Sequence, residues 1–302
     1  VSVMPSGLLA AQVSQQMSAD EAPGPTMPRL LLGARLRRLR RQRGLHKRDA
    51  AAVVGSEARL AGLELGLIGT RLQEVVALCD LYRVEEHATR VALVELARQS
   101  HRPGWWLRHR RVIPGWYVPY LGAEQTASTI RCYTCQFIPD LLQTAEYAQA
   151  HIRLLHPQMP PARRRQLLQL RMERQQMLYR DEPTRLWAVL DEAALRRPVG
   201  AVRTMYDQLE RLRDVCLLPQ ITIQVMPLAG GTPAVLGSPI TLLRWSAGEL
   251  ADLVFLEQMN CGVYPDRPDD TELYRHGLNL LVAQALPPSE SPEFLRTMIN
   301  CL

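Results

Sequence analysis

Lysine is almost missing from this chain: of its 36 lysine and arginine residues only Lys47 is a lysine. Long apolar runs are missing too. No segment approaches the roughly 18 uncharged apolar residues needed to cross a bilayer, and the first 28 residues lack the basic start and apolar core of a signal peptide. The cytoplasm is the expected compartment. Of the six cysteines, Cys132 and Cys135 form one Cys-x-x-Cys while Cys79, Cys216, Cys261 and Cys301 stand apart. Neither a secreted disulfide framework nor a four-ligand zinc site is therefore expected. The motif lies in TIRCYTCQFI, a β-rich run rather than a helix start, which favours buried free thiols over a redox pair. Walker and dinucleotide glycine motifs are absent, and PLAGGTPAVLG reads as a turn. The seven histidines make no His-x-x-x-His or His-Glu-x-x-His pair. No cofactor and no metal are expected.

The 302 residues are enough for two domains. The formal charge of +6 is concentrated near the amino terminus, which favours an anionic partner. Leu32, Leu36 and Leu39 fall on one helical face, with Arg37, Arg38, Arg40 and Arg41 around the rest, until Gly44 stops the helix. A second helix is predicted from about Lys47 to Val54. Gly55 supplies a sharp turn, and Ser56 caps a third helix over Glu57–Leu65 that ends at Gly66. Between Arg29 and Arg59 ten basic residues (29, 35, 37, 38, 40, 41, 43, 47, 48 and 59) face only Asp49 and Glu57, a local balance of +8. Such a surface contacts phosphates and releases counterions, while the third helix enters the major groove of double-stranded DNA.

LGARLRRLRRQRGL, AAAVVGSEARLAGLELG and LCDLYRV together resemble the Cro/C1-type, or xenobiotic-response-element-type, helix-turn-helix domain. YLGAEQTASTIRCYTCQFIPDLLQTAEYAQA, RMERQQMLYRDEPTRLWAVLDEAALRRPVG, YDQLERL and ITIQVMPLAGG resemble the large domain that follows it in antitoxin-like transcriptional regulators of actinomycetes. The arginine-for-lysine usage, read as codon bias of a GC-rich genome, fits such a source. The resemblance implies a regulator that binds duplex DNA as a homodimer and carries a carboxy-terminal domain for a small-molecule or protein effector. Pairing is expected through Pro161–Tyr179 or Asp269–Ala285. The residues expected at DNA are Arg37, Arg41, Lys47, Arg48, Ser56, Glu57 and Arg59. Arg59 is placed for a bidentate contact to guanine. Glu57 either repels phosphates or accepts from a cytosine amino group, and Gly62 inside the third helix is expected to cost about 1 kcal/mol relative to alanine.

The expected organisation is a flexible extension over 1–28, a five-helix domain over 29–100, an aromatic connector over 101–120 and an α+β domain over 121–302, so mainly α with a smaller β component. The fourth helix, Arg71–Tyr82, is expected to turn Leu72, Val75, Val76, Cys79 and Tyr82 inward, and a fifth spans Glu85–Gln99. Trp105, Trp106, Trp116 and Tyr117 in the connector either stack on a flat ligand or a base or are buried. Helices are predicted over Glu124–Ile130, Asp140–Leu155, Pro161–Tyr179, Val199–Cys216, Asp269–Ala285 and Ser289–Ile299. Arg163, Arg164 and Arg165 are either a second nucleic-acid patch or the solvent-facing start of a helix whose Leu167, Leu168, Met172 and Leu178 face inward, and the second is the expectation. Strands are predicted at Leu186–Leu190, Ile221–Met226, Ile240–Trp245 and Leu253–Gln258. Asp191 and Glu192, at a strand end, are placed either for a ligand or acid–base role or to cap the helix that follows. The competing reading is a family member with a degenerate DNA-reading helix that binds or transforms a metabolite.

Overall fold

The computed structural model describes residues 27–101, 104–230, 239–246, 250–265 and 267–302. The amino-terminal extension expected before residue 27 and most of the PLAGGTPAVLG turn lie outside these residues. By compactness the chain divides into one unit ending at Ala127 that also takes in Arg244–Thr271, and a second of Ser128–Leu243 with Glu272–Leu302. This partition differs from the sequential domains expected, because one segment late in the chain groups with the first unit.

The first unit opens with five helices: α1 Met27–Gln42, α2 Lys47–Val54, α3 Glu57–Glu64, α4 Leu72–Leu81 and α5 His87–Gln99. Leu32, Leu36, Ala50, Val54, Leu60, Leu63, Val75, Leu78, Tyr82 and Leu93 build its core. Truncating one of these leucines to alanine costs about 2 to 5 kcal/mol. The core also requires a glycine in α1: a Cβ on Gly33 would lie 2.4 Å from the Leu63 carbonyl oxygen, so no larger residue lets α1 approach α3 this closely. α1 begins at Met27, two residues inside the expected extension. In α4 the inward stripe is Val75, Leu78, Cys79 and Tyr82, spaced i, i+3, i+4 and i+7, which leaves Leu72 and Val76 exposed at its flank.

Residues 105–109 and 115–117 form short 3₁₀ turns, followed by α6 Val118–Thr126. The helix expected at Glu124–Ile130 is thus displaced toward the amino terminus, because Pro119 suits a first helical turn and Thr129 already belongs to a strand. In the second unit β1 Thr129–Thr134, β2 Arg185–Asp191 and β3 Ile221–Met226 pair in parallel. With β4 Ile240–Arg244 the strand order is β3-β2-β1-β4. Strands β5 Leu253–Glu257 and β6 Gly262–Val263 form an antiparallel pair.

The helices of the second unit are α7 Ala145–Leu155, α8 Pro161–Arg174, α9 Glu192–Arg196, α10 Val202–Val215, α11 Pro268–Gln284, which starts in the last residues of the first, and α12 Ser291–Asn300. α7 starts at Ala145 rather than Asp140, because Thr144 accepts the Tyr147 amide at 3.2 Å as its cap. α8 turns Leu170, Arg171 and Arg174 inward, whereas Leu167, Leu168 and Met172 are only half-buried. The fold is mainly α with a smaller β component: a helical amino-terminal region followed by α+β structure.

Candidate nucleic-acid interface

α2 and α3 meet through a short turn in which Gly55 has φ 102°, a left-handed conformation that glycine adopts without penalty. The Ser56 hydroxyl oxygen then accepts the Arg59 amide at 3.1 Å, fixing the first turn of α3. At the start of α2 the Asp49 carboxylate accepts the His46 amide at 2.7 Å. From Leu60 to Glu64 every residue of α3 is buried, so its solvent-facing surface is confined to Ser56, Glu57 and the half-buried Ala58 and Arg59. The cost expected at Gly62 reads differently in three dimensions, since a Cβ there would sit 3.2 Å from the Ile68 side chain. Its small size serves packing.

The basic residues have two fates. Arg40 is 5% exposed. Its Nε donates to Glu64 at 2.5 Å, its Nη2 to the other Glu64 oxygen at 2.8 Å, and its Nη1 to the Leu45 carbonyl at 2.7 Å. The hydrogen bond with Glu64 holds the Arg40 guanidinium above its ordinary pKa. Arg29 donates to the Ser100 carbonyl at 3.0 Å, and burial lowers its pKa to about 10. Arg43 donates to the Tyr82 and Arg83 carbonyls at 2.8 and 2.7 Å. Arg29 and Arg40 are buried and serve the fold, which corrects the count of ten phosphate-facing cations, while Arg43 is tied to backbone carbonyls at the exposed surface. The Leu32–Leu36–Arg40 spacing, i, i+4, i+8 on the apolar stripe, is the signal that would have found Arg40.

Arg41, Arg48, Ser56 and Glu57 are exposed, and Arg37 and Lys47 are half-buried. Arg38 is exposed beside Arg41. Arg59 donates from Nη2 to both Glu74 oxygens, at 2.8 and 3.0 Å, and a guanine contact by it would have to compete with that pair.

The aromatic connector residues fall into two clusters. Trp106 is buried with its ring edge-on to Trp105 at 6.1 Å, and Arg108 lies over Trp105 at 5.6 Å. Trp116 stacks with Phe255 at 6.4 Å and meets Tyr117 at 5.5 Å, while Tyr120 stacks on Phe255 at 4.3 Å. Tyr264, fully buried, donates its hydroxyl to the Trp116 carbonyl at 2.9 Å. Of the four connector aromatics Trp106 is buried as core, whereas Trp105, Trp116 and Tyr117 are half-buried at the edges of these clusters.

Asp191 and Glu192 are buried at the carboxyl end of β2. Asp191 accepts the Ala193 amide at 2.8 Å and the Tyr133 hydroxyl at 3.1 Å. Glu192 accepts Nε of Arg196 at 2.5 Å and the Leu228 amide at 2.8 Å. All four carboxylate oxygens therefore already have a protein donor, the arrangement of a cap and a loop tie. Gln143 of the LLQT segment is equally engaged: its amide nitrogen donates to the Ile138 carbonyl at 2.7 Å and its oxygen accepts from Arg171 at 3.1 Å.

All six cysteines are free thiols; of the Cys-x-x-Cys pair Cys132 is buried, but Cys135 is only half-buried, which corrects the expectation of two buried thiols. Among the described residues no group of three or more His, Cys, Asp or Glu is arranged to hold a metal ion, and no helix is long and apolar enough to cross a membrane.

Two short helices joined at a left-handed glycine, the second capped by serine and backed by a basic helix, define a helix-turn-helix protein. Comparison with known families agrees, since a model described as a helix-turn-helix domain matches residues 31–93. A second model, a domain of unknown function (DUF5753), matches residues 117–297, and the chain belongs to that family. No curated protein and no solved structure matches the chain.

Proposed function

We propose that this protein is a DNA-binding transcriptional regulator of the Cro/C1 type. The observation that carries the reading is the α2–Gly55–α3 unit with exposed Arg38, Arg41 and Arg48 on and beside it. The finer assignments rest on the sequence resemblance: an antitoxin-like regulator of actinomycetes, acting as a homodimer, whose DUF5753 domain receives a small-molecule or protein effector. In this reading α3 enters the major groove, Ser56 and Glu57 lie at base edges or phosphates, and Arg37, Arg41, Lys47 and Arg48 flank the backbone. Two copies set one helical turn apart give the affinity and specificity that one short helix lacks. The alternative, a metabolite-binding protein with a degenerate reading helix, draws its support from the acid at Glu57 and the small exposed surface of α3. The protein donor already held by each Asp191 and Glu192 oxygen argues against those carboxylates as its chemistry.

Binding of the full-length protein to labelled duplex genomic fragments, followed by fluorescence anisotropy across a salt series, tests the reading. Association that weakens steeply as salt rises is expected. Absence of association even at low salt overturns the regulator reading. Light scattering of the intact protein checks the dimer.

A further inference from the structure

Between Tyr147 and Met172 the chain carries five arginines, two histidines and no acidic residue over 26 positions. Arg171 turns inward, at 3.3 Å from Asp140. The other four are Arg153 in the last turn of α7 and Arg163, Arg164 and Arg165 in the first turns of α8. α7 and α8 pack against each other as a hairpin, joined by residues 156–160. The topology therefore brings all four to one end of it. Arg153, Arg163 and Arg165 are exposed and Arg164 is half-buried.

Elsewhere in this unit exposed helical arginines are neutralised by a carboxylate one turn away: Arg196 by Glu192, Arg203 by Asp207, Arg275 by Glu272 and Arg296 by Glu293, as is the half-buried Arg213 by Glu210. At the hairpin end the residues one turn away are Gln149, Ala150, Gln166, Leu167, Leu168 and Gln169, and none of the four has an ion-pair partner among the described residues. Three of these cations also stand at a helix amino terminus, where the backbone dipole disfavours positive charge. Folding does not account for this arrangement, but a polyanion would, by satisfying all four charges and the dipole together.

We propose that this end of the α7–α8 hairpin is a second DNA contact, which binds the phosphate backbone of the duplex without reading its sequence. The proposal rests on the regulator reading and extends it to the DUF5753 domain. Arginines at this spacing neutralise neighbouring phosphates and release counterions, adding affinity and salt dependence to whatever α3 recognises.

The test uses full-length protein and two duplexes, a preferred genomic fragment and an unrelated sequence of equal length. Arg163→Ala/Arg164→Ala/Arg165→Ala is expected to weaken both about equally, by roughly tenfold or more at low salt, and to flatten the log–log salt dependence by about one per arginine in contact. The ratio between the two duplexes stays unchanged. The triple lysine variant keeps the point charges and is expected to keep most of the slope. Removing the arginines relieves the helix dipole, so an unchanged or raised melting temperature shows that the variant is folded. Wild-type affinity and slope in the alanine variant, while Arg38→Ala/Arg41→Ala weakens binding, overturns the proposal and leaves the regulator reading standing. A changed ratio between the duplexes overturns the sequence-independent role. A wild-type protein that binds neither duplex at low salt overturns both.

Discussion

Helices α1 and α8 are both rich in arginine, and each divides its arginines between the interior and the surface. In α1 two arginines are interior: Arg29 meets a backbone carbonyl, and Arg40 meets one carboxylate in a bidentate pair, with Glu64 itself 4% exposed. In α8 two interior arginines share one acid: Asp140 accepts from Arg174 at 2.9 Å and lies 3.3 Å from Arg171, with part of its side chain in solvent. The second network is completed by a neutral group, since Arg171 Nη1 lies 3.0 Å from His151 Nδ1. A guanidinium only donates, so Nδ1 is the acceptor and the imidazole proton sits on Nε2, which has no partner among the described residues. One network is balanced in charge and the other carries a cation in excess. Counting arginines along the sequence treats the two helices alike, whereas the acid each one meets distinguishes them.

The largest expected effect breaks the balanced network. Glu64→Ala leaves the Arg40 guanidinium buried and unpaired, and is expected to destabilise the helix-turn-helix region by about 3 to 5 kcal/mol, read by urea unfolding. Arg40→Met with Glu64→Leu, which removes both charges, is expected to recover most of that loss. If the single and double variants are equally unstable, the pair itself contributes less than its geometry implies.

The next effect lies in the other network and appears as pH dependence. Burial, with Arg171 adding to it, lowers the His151 pKa from 6.5 to about 4. Between these values the unfolded chain holds a proton that the folded chain does not, so stability falls as pH falls from about 6.5 toward 4. The loss from this one imidazole is about 3 kcal/mol. His151→Asn is expected to flatten the unfolding free energy measured between pH 7 and pH 4. Equal pH dependence in variant and wild type would place the acid sensitivity elsewhere.

Asp140→Asn follows, at about 2 kcal/mol, below the cost of a fully buried pair because the carboxylate is partly exposed. Burial pushes the Asp140 pKa up, but Arg171 and Arg174 outweigh it and hold it below the ordinary carboxylate value. Its contribution is therefore complete above the unfolded pKa and disappears as pH falls through the lower folded one. Measured by urea unfolding at pH 7, a loss equal to that of Glu64→Ala would erase the distinction between the two networks.

The smallest effects concern the surface arginines and are read in binding. Arg41→Ala is expected to weaken all duplexes alike and reduce the salt slope by about one, and Glu57→Gln to strengthen them slightly by removing a charge that repels phosphate. Glu74→Ala sharpens the comparison at Arg59. If Arg59 reads guanine, freeing it raises discrimination at one base position. If the pair serves only to tie α3 to α4, base preference is unchanged and stability drops by about 1 kcal/mol.

The helix-turn-helix elements were legible in the sequence because each depends on near neighbours. Gly44, Gly55 and Gly66 all have positive φ, Ser56 caps the helix that follows it, and apolar spacing set the helices between them. The bounds of α2 were read to the residue, and β3 likewise. Segments with two local readings were less legible. Glu124–Ile130 has helical spacing, yet Ile130–Thr134 pairs with Leu186–Leu190 across the sheet, and a strand register is decided by a partner far along the chain.

What the sequence determined by itself was the set of local devices: which glycines turn, which serine caps the third helix, and where basic residues gather. Only the tertiary structure decided what each charge does. Arg40 and Arg41 are adjacent in sequence, but Arg40 meets Glu64 twenty-four residues on while Arg41 faces water. The oxygens of Glu192 are filled partly by an amide thirty-six residues away. Backbone geometry and capping act over a helical turn and can be read from spacing. The partner of a long guanidinium or carboxylate depends on which distant element folds against it, so it becomes visible only when the chain is packed.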